Sequence, residues 1–208
     1  MASIQTHIHL VRHGHVFNPR DIVYGRLPRF RLSEKGIRQA RSAAIFFNFR
    51  PLAALYSSPL LRARQTAKEL RMAIDQTKVR ISALITEIHS PFEGRPSAEA
   101  DALNGDVYSG AGPGFEQPKD ILRRTRRFFS RVTKRHGGHH VAAVTHGDVI
   151  VFALLWANGR ALLPEYKGRL GPLGIQHGYP AHGSVTTFSI DPDRPDARLA
   201  VNYWEPDQ

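Results

Sequence analysis

Polar and apolar residues alternate along residues 7–12, HIHLVR, so this stretch predicts a half-buried strand. Ser33 then stands as an N-cap before EKGIRQARSAAIFF, where Ile37, Ala40, Ala44 and Phe47 recur at helical spacing until Arg50 and Pro51 stop the run. LAALYSS, residues 52–58, predicts a second strand. Ser58-Pro59 then reads as an N-cap with Pro at the first helical position, opening LLRARQTAKELRMAI with Leu60, Ala63, Ala67, Leu70 and Ile74 on one face. KVRISALI, residues 78–85, predicts a third strand, and PKDILRRTRRFFSRVTKRH, residues 118–136, a strongly basic helix. The continuous apolar run VAAVT suits a strand buried on both faces; it leads through His146-Gly147-Asp148 into a helix closed by Asn158-Gly159. SVTTFSI, the turn DPDRPD and RLAVNYW predict a terminal hairpin.

Strands alternating with helices imply an α/β three-layer sandwich around a mostly parallel sheet. No repeat or linker divides residues 1–208, so one domain is expected, with Gly/Pro-rich loop excursions at about 88–117 and 160–183. Apolar residues make up 41 % of the chain, enough for a core. No apolar run reaches the roughly 18 residues that span a bilayer, and no signal peptide is evident. The absence of Cys excludes disulfide and thiolate chemistry and fits a cytoplasmic protein. Lys and Arg number 29 against 18 Asp and Glu, a net charge of +11, which favours anionic partners.

Ligands of open α/β sheets bind off the carboxyl ends of the strands. The first strand ends in Arg12 and His13, Arg62 falls in the first turn of the helix after the second, and the fourth strand ends in His146. Two Arg and two His beside a helix N-terminus make an anion site. Gly14 and Gly147 let the backbone turn and approach a ligand. An imidazole held by one nitrogen presents the other as a nucleophile, and two guanidinium forks suit a phosphoryl group under in-line attack. A leaving alkoxide needs a proton, for which Glu87 is the candidate and Glu93 the rival.

LVRHG, SSPLLRARQTA, TEIHSPFEG and VTHGD, in that order, resemble the histidine phosphatase superfamily, the phosphoglycerate mutase-like family. The resemblance covers about residues 7–158 and implies that family's fold and chemistry, without cofactor or metal. It implies His13 as the nucleophile that becomes phosphorylated, Arg12, Arg62 and His146 as the phosphoryl clamp, and Glu87 as the acid that later activates water. Asn18 resembles the family's phosphate-contacting Asn but stands one residue closer to His-Gly. His15 replaces the Glu or Gln frequent after that pair. Tyr24-Gly25-Arg26 fall where the family's loop lines the substrate entrance, and Gly147 follows the second histidine.

The expected activity is hydrolysis of a phosphorylated small molecule. The alternative within the family is a mutase, which returns the phosphoryl group to bound product; the glycolytic mutases are typically longer than this chain. Other classes are a non-catalytic anion-binding module and a metal hydrolase using His7 and His9. Against the last, no second cluster with suitable carboxylates accompanies the HxH pair, which is therefore read as structural. The three His of HGGHH, residues 136–140, are expected to face solvent. Selectivity is expected from residues 20–31, 88–115 and 160–183, where Arg20, Arg26, Arg29, Arg31, Arg95, Lys167 and Arg169 suggest a substrate with more than one acidic group. Basic residues crowd 119–135 without a nucleic-acid motif, so a solvated face is expected there and nucleic acid is not. The sequence allows a homo-oligomer without specifying one.

Overall fold

The computed structural model describes residues 5–74, 78–191 and 199–206. Six strands form one sheet: β1 (Thr6–Arg12), β2 (Leu52–Ser57), β3 (Val79–Ile81), β4 (His140–Thr145), β5 (Val185–Ile190) and β6 (Ala200–Trp204). Their order is β3-β2-β4-β1-β5-β6. β1 to β4 run parallel, while β5 is antiparallel to both β1 and β6. The helices are α1 (Glu34–Ile45), α2 (Leu61–Ala73), the short α3 (Ser97–Asp101), α4 (Pro118–His136) and α5 (Gly147–Ala157). This is the expected α/β sandwich, with a mixed sheet. The turn predicted at 191–196 lies largely outside the described residues. Among the described residues, no helix is long and apolar enough to cross a membrane.

The period-two alternation sorts each strand between two cores. Ile8 and Leu10 of β1, with Val141 and Ala143 of β4, pack under Phe128, Phe129 and Val132 of α4 and Ile150 and Ala153 of α5. Val11, Ala142 and Val144 face the other way, against Ala43 and Ala44 of α1 and Ala63, Ala67 and Leu70 of α2. Small residues on α1 and α2 let those helices lie close to the sheet. α5 is apolar on nearly every side because the 160–183 excursion covers what the sheet leaves, with Leu170 and Ile175 in a third apolar cluster around it.

Three sequence expectations are corrected. α2 begins at Leu61 with Leu60 at its N-cap, not at Ser58; the Ser58 hydroxyl instead meets His146. The third strand stops at Ile81, and residues 83–85 form a 3-10 turn, so Glu87 follows a turn rather than a strand. His140 is half-buried rather than turned out to solvent. It stacks on both His7 and His9, with ring centroids 4.5 and 5.1 Å apart. The parallel register that pairs His7 with His140 places these rings on one face of the sheet. His9 is buried, meets Thr187 Oγ1 at 2.8 Å and His140 Nδ1 at 2.9 Å, and packs edge-on against Phe46 and Phe47. His7 meets Ser189 Oγ at 2.9 Å. His9 thus pairs both nitrogens and His7 one, which fits the structural reading of the HxH pair.

Burial and the neighbouring His140 push the His9 pKa from 6.5 down to about 3. The unfolded chain therefore binds this proton more readily, and stability is full above pH 6.5 and lost as pH falls toward 3. Thermal melts should show a transition temperature that declines below about pH 6.5, and His9→Gln should flatten the slope by up to about 1.4 kcal/mol per pH unit. Equal slopes in the two proteins would show that His9 is protonated without cost to the fold.

Candidate active site

At the carboxyl end of β1 the chain is held from both sides. The Arg12 N–H donates to Ser184 O and the His13 N–H to Thr145 O, each at 3.0 Å. The loop then crosses the start of α1 so closely that a Cβ on Gly14 would lie 2.2 Å from Gly36 O, and one on Gly36 would lie 2.0 Å from His15 O. No other residue fits at either position. His13 is buried, with Nδ1 2.8 Å from Gly14 O. A carbonyl only accepts, so Nδ1 carries the hydrogen and Nε2 keeps its lone pair.

That lone pair faces Arg62, whose side chain is 1 % exposed. Its Nε–H donates to His13 Nε2 at 3.1 Å, and Nη2 donates to Gly25 O at 2.8 Å and to His146 Nδ1 at 3.2 Å. Tyr24 lies against the guanidinium, 4.7 Å from ring centroid to Cζ. His146 accepts on Nδ1, so its Nε2–H is the donor to Ser58 Oγ at 2.7 Å. Burial and the Arg62 charge hold both histidines well below the ordinary imidazole value, hence neutral.

Glu87 completes the cluster, with Oε2 3.7 Å from Arg62 Nη2 and 3.6 Å from His146 Nδ1. Two arginines from elsewhere in the chain anchor its backbone. The Glu87 carbonyl accepts from Arg26 Nε at 2.7 Å, and Arg124 of α4 donates to Leu84 O at 3.0 Å. Both arginines close on Glu116. Arg124 therefore leaves the solvated face assigned to the basic helix. Burial raises the Glu87 pKa first, and the Asp148 charge raises it further. The rival Glu93 is occupied elsewhere, accepting the Arg26 backbone N–H at 2.9 Å.

Arg12 extends over the Tyr179 ring at 4.9 Å and donates to Pro180 O at 2.5 Å. Tyr179 packs against Gly147, where a Cβ would meet its hydroxyl at 2.1 Å. Its hydroxyl donates to Asp148 Oδ1 at 2.5 Å, while Lys167 Nζ donates to Asp148 Oδ2 at 2.6 Å and to Gly105 O at 2.8 Å. The Tyr108 hydroxyl also donates to Asp148. One buried carboxylate thus ties both loop excursions to the N-terminus of α5.

The structure brings Arg12, His13, Tyr24, Gly25, Arg62, Glu87, His146 and Gly147 together. Asn18 is turned to its own loop, with Nδ2 donating to Ile22 O at 2.9 Å and Oδ1 accepting from Ile22 N–H at 3.4 Å. The suggestion of a poly-acidic substrate loses three supports, because Arg26, Arg95 and Lys167 are paired with Glu116, Glu99 and Asp148. Sequence reasoning missed Tyr179, Glu116 and His182, and assigned Lys167 to the substrate rather than to Asp148. The excursions 88–117 and 160–183 were singled out, but nothing within them marked these residues. Nitrogen and oxygen atoms of His13, Glu87 and His146 all lie within 4.8 Å of one another, the spacing a metal could use. The Arg62 guanidinium contacts all three, so a fixed cation already serves that position.

A sequence model of the histidine phosphatase superfamily, branch 1, matches residues 8–199. An uncharacterized protein of Mycobacterium tuberculosis, Rv0525, is 32 % identical over 91 % of this chain and 93 % of its own length. A 2,3-bisphosphoglycerate-dependent phosphoglycerate mutase of Gloeobacter violaceus is 30 % identical over 57 % of this chain and 60 % of its own. Among solved structures, mycobacterial glucosyl-3-phosphoglycerate phosphatase superimposes with a TM-score of 0.77 at 22 % identity, covering 98 % of this chain and all of that one. That likeness is one of fold.

Removing Lys167 would leave Asp148 charged and buried. Lys167→Met should lower the unfolding free energy by about 3–5 kcal/mol in a denaturant titration, and the double variant Lys167→Met/Asp148→Asn should recover much of it. A loss below about 1 kcal/mol in the single variant would mean that the pair is effectively solvated.

Proposed function

The chain belongs to the histidine phosphatase superfamily, and on that footing we propose that it hydrolyses a phosphorylated small molecule through a phosphohistidine on His13. The observation that carries this reading is the His13 Nε2 lone pair, fixed by Gly14 O and pointed at a buried guanidinium. Arg12 and Arg62 supply two positive charges, matching a phosphoryl dianion, and both histidines are already neutral. Substrate phosphoryl oxygens take over the Arg62 Nε–H, which frees Nε2 to attack. The N–P bond forms as the P–O ester bond breaks, and Glu87, whose pKa burial and the Asp148 charge raise, protonates the leaving alkoxide. Glu87 as carboxylate then takes a proton from water, which attacks phosphorus and breaks the N–P bond. Phosphate leaves, and His13 and Glu87 return to their starting states. No metal or organic cofactor enters this scheme.

Hydrolysis of an aryl phosphate should survive excess chelator and fall by roughly 10³-fold or more in His13→Ala. Chelator-sensitive activity that persists in His13→Ala would overturn the proposal. Acid-quenched enzyme should carry phosphate on His13. Phosphate that passes to an added phosphoglycerate faster than to water would make the chain a mutase instead.

The leaving group separates the acid from the clamp. Glu87→Gln should lower kcat/KM, which reports only the step that expels the leaving group, by about 10²–10⁴-fold on an alkyl phosphate and much less on a p-nitrophenyl ester, whose leaving group needs no proton. Equal losses on both would reassign Glu87 to binding.

The pH profile follows from the same groups. The first step needs Glu87 protonated, and its pKa is raised above 4.5, so the alkaline limb lies above that value. Asp148→Asn removes one cause of the rise and should move the limb to lower pH. An unmoved limb would show that another group sets it.

A further inference from the structure

The segment from Tyr179 to Ser184 is built against Arg12. Pro180 O takes the Arg12 guanidinium, the Gly183 N–H donates to Arg12 O at 3.0 Å, and Ser184 O accepts from the Arg12 N–H. In the middle of this segment His182 sits beside the nucleophile, its ring centroid 5.6 Å from that of His13 and 5.6 Å from that of His15. Since His13 and His146 are 5.2 Å apart, four imidazoles form a row from exposed His15 to buried His146. Every other ring in the row has a hydrogen-bond partner, His15 through Ser33 Oγ at 2.8 Å. His182 Nε2 is buried without one, and so is Arg12 Nε. A buried polar atom left unpaired costs about 1–3 kcal/mol, so two of them beside one nucleophile call for a shared ligand.

We propose that His182 is a further substrate-binding residue of this site, donating its Nε2–H to a non-bridging oxygen of the phosphoryl group that Arg12 and Arg62 hold. The assignment rests on the phosphatase reading and extends it to a loop outside the motifs LVRHG, SSPLLRARQTA, TEIHSPFEG and VTHGD. Burial first, and then the Arg12 charge, push the free ring's pKa down to about 2, so it meets the ligand as a neutral donor that leaves the two guanidinium charges to balance the dianion. The chemistry it recognises is a tetrahedral oxyanion. Inorganic phosphate therefore serves as a sufficient probe.

Titration calorimetry with inorganic phosphate, together with kcat and KM on p-nitrophenyl phosphate, tests the proposal in wild type, His182→Ala, His182→Gln and His13→Ala. Gln places an N–H close to where the imidazole Nε2 lies. His182→Ala should weaken phosphate binding and raise KM by about tenfold, the effect of one lost hydrogen bond to a charged group. His182→Gln should restore both to within about threefold. In the wild-type protein, phosphate should shift the His182 imidazole resonances, identified by their loss in His182→Gln. Wild-type phosphate affinity in His182→Ala, with turnover still dependent on His13, would overturn the role of His182 and leave the phosphatase reading standing. Equal weakening in the Ala and Gln variants, with no resonance shift in the wild type, would reduce His182 to packing. A wild-type protein that neither binds phosphate nor hydrolyses the ester would remove the phosphatase reading and the role of His182 with it.

Discussion

A guanidinium with almost no contact with water is the constraint around which this molecule is arranged. Arg62 cannot shed its charge as a buried Lys or His can, so the fold must bring acceptors to it. They come from four separate stretches of chain: His13 after β1, Gly25 in the following loop, Glu87 after the 3-10 turn and His146 after β4. Each contact also sets a chemical property. Burial first, and then this permanent cation at hydrogen-bond distance, keep His13 and His146 neutral, and the same cation opposes the rise in the Glu87 pKa that burial and the Asp148 charge produce. The buried charge thus links the structure of this site to its protonation states.

The sheet explains how four distant segments reach one point. Parallel strands β1, β2 and β4 place their carboxyl ends side by side, and α2 and α5 begin there with Arg62 and Gly147. Antiparallel β5 adds a different element to this end, because the chain enters it from the segment that holds Arg12. A second buried charge, Asp148, serves the loops as Arg62 serves the strand ends. It collects Lys167, Tyr108 and Tyr179, so the 88–117 and 160–183 excursions close over α5 as a unit. These polar ties add to the apolar contacts that Val107, Leu170 and Ile175 make with α5.

Elements with a period, or with a motif at a strand end, were legible in the sequence. Helix α4 falls at 118–136, the span read as a strongly basic helix, and His13, Arg62, Glu87 and His146 meet at one point. The ends of elements were less so. Ser58-Pro59 has the form of a helix start, but the hydroxyl that would cap α2 meets His146, and the helix waits until Leu61. Loop residues were not legible, since nothing in the order of residues 160–183 says that Lys167 turns inward while Arg160 and Arg169 stay exposed. His140 shows the same limit on a strand. Its neighbours in HGGHH suggest solvent, yet only the register with β1 reveals that it stacks between His7 and His9.

Chemistry and selectivity are consequently built from different materials. The proposed phosphoryl clamp stands on strand ends and helix starts, which the two cores fix, so its geometry is set by the fold as a whole. The walls around it stand on loops whose placement depends on Lys167, Asp148, Arg26, Arg124 and Glu116, most of them far apart in sequence. These ion pairs use cations that a composition count would assign to substrate recognition. In the proposed reading, the groups closest to His13 that meet the phosphoryl group are the guanidinium of Arg12, that of Arg62 with the Tyr24 ring against it, and the imidazole of His182. On that reading the phosphoryl group is held through charge and hydrogen bonds, and discrimination among substrates falls to the shape of loops that Asp148 ties together.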